Sequence, residues 1–107
     1  MKRTILITTL ILGGWSWAGS KPPGMWETQC ASCHGMDGTV TRMGKAVGAR
    51  DLTDKKYMRT RTDAELRRAI LEGAKNEEGV YRMTPYKHML EPGDLESLLA
   101  YVRGLAS

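Results

Sequence analysis

Trp26-Glu27-Thr28-Gln29-Cys30-Ala31-Ser32-Cys33-His34-Gly35 is the stretch that decides how this chain folds. It holds both cysteines of the 107-residue sequence. A disulfide between Cys30 and Cys33 would close a very small loop and remove little entropy from the unfolded chain, so it would stabilise the fold weakly. On a helix, residues i and i+3 share a face. The stretch therefore puts two thiols side by side and an imidazole, His34, on the next position. That arrangement suits two thioether bonds to the vinyl groups along one edge of a porphyrin, with the imidazole turned beneath the ring toward iron. A thioredoxin-type dithiol shares the C-x-x-C spacing but belongs to a βαβ pattern, and no convincing strand is predicted. A zinc site needs a fourth strong ligand, and His88 is the only other His. The expected cofactor is one haem c with its iron, covalent through Cys30 and Cys33 and ligated by His34.

Upstream, Lys2 and Arg3 precede an apolar run from Ile5 to Leu12, and Ser16 and Ala18 give the small-x-small pattern of a signal-peptidase site. Residues 1–18 are expected to be a cleaved signal peptide, with the domain over 19–107 and a periplasmic location. The apolar run is short against the roughly 20 residues of a spanning helix, which disfavours an uncleaved anchor. Without the leader the chain keeps 14 of its 16 Lys/Arg and all 12 Asp/Glu, a net charge of +2. Such a balance, with no run of one sign, leaves no footprint for nucleic acid. It is enough for weak orientation on an acidic protein partner.

Downstream, an all-α domain of three to four helices with no sheet is predicted. The first helix spans residues 23–33 and places Trp26 and Cys30 on one face, with Gly35 ending it. Residues 36–52, dotted with glycines, are expected to be loop, followed by a short helical turn over 54–59. Thr62 and Glu65 form a capping box for a helix with Leu66, Ala69 and Ile70 inward and Gly73 as its stop. Residues 75–79 form a polar turn, and 81–90, with Pro85, a loop. The last helix starts near Pro92. It turns Leu95, Leu98, Leu99, Val102 and Leu105 toward the core, with Arg103 in its final turn.

A sixth iron ligand has seven candidates: Met25, Met36, Met43, Met58, Met83, Met89 and His88. Met25 lies beside the attachment helix, and Met36 and Met43 follow His34 too closely. Met58 sits by a helical turn. Met83, between the capped helix and the last one, has the location from which a backbone can cross the far face of a haem. Met89 and His88 lie close enough to replace it. A thioether there raises the reduction potential, and a second imidazole lowers it.

With these residues assembled, the chain resembles the monohaem class I cytochromes c of bacteria. The resemblance covers essentially all of residues 19–107. It rests on Trp26 to Gly35, Asp51-Leu52-Thr53, Arg61-Thr62-Asp63-Ala64-Glu65-Leu66, Met83-Thr84-Pro85-Tyr86 and Leu98-Leu99-Ala100-Tyr101-Val102-Arg103. It implies the small cytochrome c fold, with first and last helices crossing near Trp26 and Leu98–Tyr101. It implies His34 and Met83 as axial ligands. It implies a monomeric electron carrier, not an enzyme, between redox partners such as membrane respiratory complexes or periplasmic oxidoreductases. Two positions depart from the family pattern. Thr84 separates Met83 from Pro85, and Arg50 stands where a proline often precedes Asp-Leu and lends its carbonyl to the ligand His. Any residue has that carbonyl, so the contact can survive. The alternative function is a haem sensor or peroxidase-like protein with a labile sixth ligand. A further expectation is that the chain folds poorly without haem, since a domain this small buries a modest core.

Overall fold

The computed structural model describes residues 22–107; the leader assigned to residues 1–18 lies outside them. The attachment helix begins as a π-helical stretch, Trp26–Cys30, and passes into one α-helical turn, α1 (Ala31–His34). The wider winding is marked by the Ala31 amide, which donates to the Trp26 carbonyl five residues back. The uniform α-helix expected over 23–33 is thus corrected. Short π stretches of this kind are frequent at functional sites.

Two further elements correct the prediction. The glycine-rich stretch contains a six-residue helix, α2 (Arg42–Val47), opened by the Thr41 hydroxyl, which accepts from the Gly44 amide at 3.0 Å. Gly48, with φ +81°, closes it in the left-handed region where glycine carries no penalty. An antiparallel hairpin, β1 (Ala74–Lys75) with β2 (Tyr81–Met83), stands where no sheet was expected. Its turn is organised by Asn76, whose side-chain oxygen accepts from the amides of Glu78 and Val80, both at 2.9 Å. Strands of two and three residues are too short to display the period-2 alternation that reveals a strand in sequence.

The remaining helices follow the sequence closely. Asp54 caps α3 (Lys55–Arg59), accepting from the Tyr57 amide at 3.1 Å. Both halves of the capping box are present on α4 (Asp63–Glu72). The Thr62 hydroxyl accepts from the Glu65 amide at 3.0 Å, and Glu65 accepts from the Thr62 amide at 2.8 Å. The last helix, α5 (Asp94–Leu105), starts two residues later than expected. Pro92 lies in the preceding turn, Gly93 is the cap, and Asp94 reaches back to accept from the Glu91 amide at 2.7 Å. The described residues hold five helical segments rather than three or four, and the fold remains all-α apart from the small hairpin.

The core joins every helical layer except α2. Leu66 and Ile70 from α4, Leu98, Leu99 and Val102 from α5, and Trp26, Leu52, Met58 and Tyr86 are all buried. Trp26 and Tyr101 meet edge to face with ring centroids 5.1 Å apart, so first and last helices touch where the resemblance placed their crossing. Arg103 does more than sit in a final turn. Its guanidinium donates to Asp63 at 2.8 Å, to the Met58 carbonyl at 2.9 Å and to the Arg61 carbonyl, tying α5 to the junction of α3 and α4.

Candidate functional site

The attachment helix ends in a turn that the chain closes immediately. A helix leaves its last four carbonyls unpaired, and here each finds a donor. The Gly35 amide bonds to the Ala31 carbonyl at 2.8 Å, and the Thr41 hydroxyl to that of Ser32 at 2.6 Å. The Thr41 amide bonds to Cys33 and the Val40 amide to His34, both at 2.9 Å. The geometry asks Val40 for a φ of +93°, a strained value for a β-branched residue. Helix α2 then lies against the turn so closely that a Cβ on Gly44 would stand 2.0 Å from the Cys33 carbonyl oxygen. The cysteines and His34 are therefore fixed from behind by Val40, Thr41 and Gly44. Sequence reasoning did not find these residues. The available signal was Thr41, a residue type that favours a helix N-cap, with Gly48 as a stop.

His34 is held on two sides. Its Nδ1 lies 3.3 Å from the Arg50 carbonyl, the contact a proline carbonyl makes in the family pattern. Its ring stacks on Trp26 with centroids 5.9 Å apart and planes 29° from parallel. Trp26 is fully buried, and its indole N–H donates to the Gly35 carbonyl at 3.2 Å. Burial holds the His34 pKa below its ordinary value, against the Arg50 hydrogen bond, which favours the charged form. The imidazole is neutral at pH 7, with Nδ1 engaged and Nε2 free to act as a ligand.

Cys30 and Cys33 lie on consecutive turns and are not joined to each other by a disulfide. Burial pushes the Cys30 thiol up to about 11. Redox-active dithiols rely on a lowered pKa that favours thiolate, so Cys30 has the opposite tuning to an exchange catalyst.

Both cysteines and His34 line a cavity of about 430 Å³, within the roughly 300–1,000 Å³ usual for cofactor-sized ligands. Leu66, Ile70, Leu98 and Val102 supply apolar wall, and Met83 and Tyr86 also line it. Met83 reaches the cavity as the last residue of β2, not from a loop as expected. Gly73 makes that approach possible: a Cβ there would lie 2.3 Å from the Met83 carbonyl oxygen, and its φ of +72° suits glycine. Tyr86 is anchored by its amide to the Ile70 carbonyl at 3.0 Å and by its hydroxyl to that of Gln29 at 3.4 Å.

The other ligand candidates stand elsewhere. Met58 is buried in the core and does not line the cavity. Met36, Met43 and Met89 are about half exposed, at 52%, 59% and 48%. Met25 packs against the core, and His88 borders a separate surface cleft with Glu72 and Lys75. The donor set suits a haem. Two thiols can take its vinyl groups, a neutral imidazole and a thioether can take its iron, and the walls are apolar.

Residues 18–102 match the family model described as cytochrome c oxidase, cbb3-type, subunit III. The chain belongs to this family of c-type cytochromes. Among solved structures, it is similar to the KustC0563 c-type cytochrome, at 31% identity over 78% of this chain and 94% of that one, with a TM-score of 0.66. A tyrosine-to-phenylalanine mutant of KustC0563 matches at 32% identity over 76% and 93% of the two chains, with a TM-score of 0.64. No curated protein matches the sequence. This small monohaem cytochrome carries covalently bound haem c, and Cys30 and Cys33 supply the C-x-x-C-H attachment pattern with His34. The chemistry of the family is electron transfer through the haem iron.

Proposed function

We propose that this cytochrome is a periplasmic electron carrier whose haem iron is held between His34 and Met83. The observation that carries this reading is convergence. Of all described methionines, Met83 alone lines the cavity that also holds Cys30, Cys33 and His34. The iron supplies one-electron redox chemistry, ferric to ferrous and back. The protein's own part is to orient His34 through the Arg50 carbonyl and Trp26, to exclude water with Leu66, Ile70, Leu98 and Val102, and to bring Met83 in on β2.

The leader-like residues 1–18 support export, and the partners are then redox proteins outside the cytoplasm. Among the described residues no helix is long and apolar enough to cross a membrane. N-terminal sequencing of the exported protein is expected to begin at Gly19.

The test of the iron ligands is spectroscopic. Oxidised wild-type holoprotein is expected to show a low-spin spectrum with the long-wavelength methionine–iron charge-transfer band. Met83→Ala should abolish the band, while Met58→Leu, Met89→Ala and His88→Ala should retain it. A band that persists unchanged in Met83→Ala removes Met83 as ligand. Carbon monoxide binding by the untreated ferrous protein would replace the carrier reading with an open-site one.

A further inference from the structure

Tyr86 is the one buried tyrosine among the described residues, and its ring lines the haem cavity beside Met83. Its main chain serves α4. The Tyr86 and Lys87 amides donate to the Ile70 and Leu71 carbonyls at 3.0 and 3.2 Å, at the end of a helix whose last four carbonyls need outside donors. The Tyr86 hydroxyl reaches the other way, to the carbonyl of Gln29, the residue before Cys30. Among the described residues this is the only hydrogen bond between residues 81–90, which carry Met83, and the attachment helix, which carries both cysteines and His34.

Packing does not ask for that hydroxyl. A phenylalanine would fill the same space, and a hydroxyl taken out of water costs free energy unless it is bonded. The position also gives leverage. Tyr86 follows Met83 by three residues, and Pro85 between them holds its φ at about −65°, which leaves little slack between phenol and thioether. Gly73 presses on the same run, since a Cβ there would lie 2.9 Å from the Pro85 nitrogen. Resting on the reading of Met83 as sixth ligand, we propose that Tyr86 is a positioning residue, whose phenol straps the Met83 segment to the attachment helix and sets how readily the thioether leaves the iron.

The strap has a measurable consequence. An added base reaches the iron only in molecules whose Met83 segment has swung away, so its apparent affinity scales with that open fraction. Removing the strap raises the fraction. At 3.4 Å the bond is long for a hydroxyl donor, so its effect belongs to the lower part of the usual range, about two- to fivefold. Imidazole titrated into ferric holoprotein, followed by loss of the methionine–iron band, should therefore bind Tyr86→Phe about two- to fivefold more tightly than wild type. Tyr101→Phe is the control. It removes a phenol bond of the same kind, to the Met36 carbonyl at 3.2 Å, but that bond ties α5 to the turn after His34 and not to the Met83 segment. Its imidazole affinity should equal that of wild type.

Proton NMR of the diamagnetic ferrous wild-type holoprotein supplies a measurement that needs no variant. The Tyr86 hydroxyl proton should exchange slowly and show a cross-peak to Gln29 or Cys30. A hydroxyl proton lost to fast exchange overturns the strap. So does Tyr86→Phe with wild-type imidazole affinity, or an equal tightening in Tyr101→Phe, which would mark a general loosening of the fold. The two readings fail differently. A wild-type spectrum without the methionine–iron band removes Met83 as ligand and the strap with it, whereas unchanged affinity with the band present removes the strap alone.

Discussion

The close seat of α2 on the attachment turn makes Gly44→Ala a sharp test, because two effects on the same substitution oppose each other. Alanine is a better helix former than glycine by about 0.5–1 kcal/mol, and Gly44 lies within α2. Against this, the new methyl would stand 2.0 Å from the Cys33 carbonyl oxygen, 2.9 Å from its carbon and 3.0 Å from a Val40 methyl. Ordinary contact begins near 3.4 Å, so α2 must retreat by more than an ångström or the turn must deform. Neither partner is the end of a flexible side chain. The retreat also strains the Thr41 contacts that close the helix. Overpacking of this kind costs about 1–3 kcal/mol, so the steric effect wins. For a domain of this size each kcal/mol moves the melting temperature by about 4–8 °C. With a propensity gain of about 0.5 kcal/mol subtracted, the net loss is about 0.5–2.5 kcal/mol, and the ferric holoprotein should melt about 2–20 °C lower as Gly44→Ala. Gly104, inside α5 with nothing within 4 Å of an added methyl, is the internal control. There the same change should raise stability by about 0.5–1 kcal/mol. Equal or elevated melting for Gly44→Ala would refute the claim that α2 braces the attachment turn.

Arg103→Ala should destabilise by about 1–3 kcal/mol, since it strips donors from the Met58 and Arg61 carbonyls and leaves them partly buried. Urea unfolding with an unchanged slope measures this, and Arg103→Lys should recover only part because it lacks the planar fork. Acid should weaken the fold in a defined direction. The Thr39 hydroxyl on Asp37, the Thr53 hydroxyl on Asp51 and the Thr62 amide on Glu65 hold those carboxyls below their ordinary range. Each binds its proton less readily folded than unfolded. Their contribution is therefore complete above the unfolded carboxylate pKa of about 4 and lost as pH falls through the lower folded values. Melting temperature should be level above about pH 5 and decline below it. Thr39→Val with Thr53→Val should flatten that decline, and an unaltered acid limb would remove the assignment.

The parts of the fold legible in the sequence were those with a dense local signal. The Thr62–Glu65 box fixes the start of α4 with two reciprocal hydrogen bonds, and Gly73 ends it. Five apolar residues at helical spacing mark α5, and Leu98, Leu99 and Val102 are indeed buried. Cys30, Cys33 and His34 announce the cofactor because their chemistry is set by spacing within one turn. The missed parts depend on contacts made at a distance. Helix α2 owes its place to Cys33 and Val40 rather than to an apolar stripe, and its glycines resemble a loop. The hairpin that delivers Met83 is too short to carry a period. Pro92 resembles a first-turn proline, but Gly93 and Asp94 make the cap after it. The role of Arg103 is set by carbonyls more than forty positions away along the chain.

The closure of the attachment turn bears on the order in which the molecule is assembled. The contacts from Val40 and Thr41 to Ser32, Cys33 and His34 bridge nine positions or fewer. Loops that short close at little entropic expense, and local contacts form early in folding. The contacts that bring Tyr101 to Met36 and Tyr86 to Gln29 span 65 and 57 positions. The chain is thus divided in time as well as in space. A near-complete cradle for the thiols and imidazole comes from one short run of sequence, and the Met83 side arrives with the distant half. In native-state hydrogen exchange the amides of Val40 and Thr41 should stay protected through openings that release β2, and simultaneous loss of both would show that the cradle has no such independence.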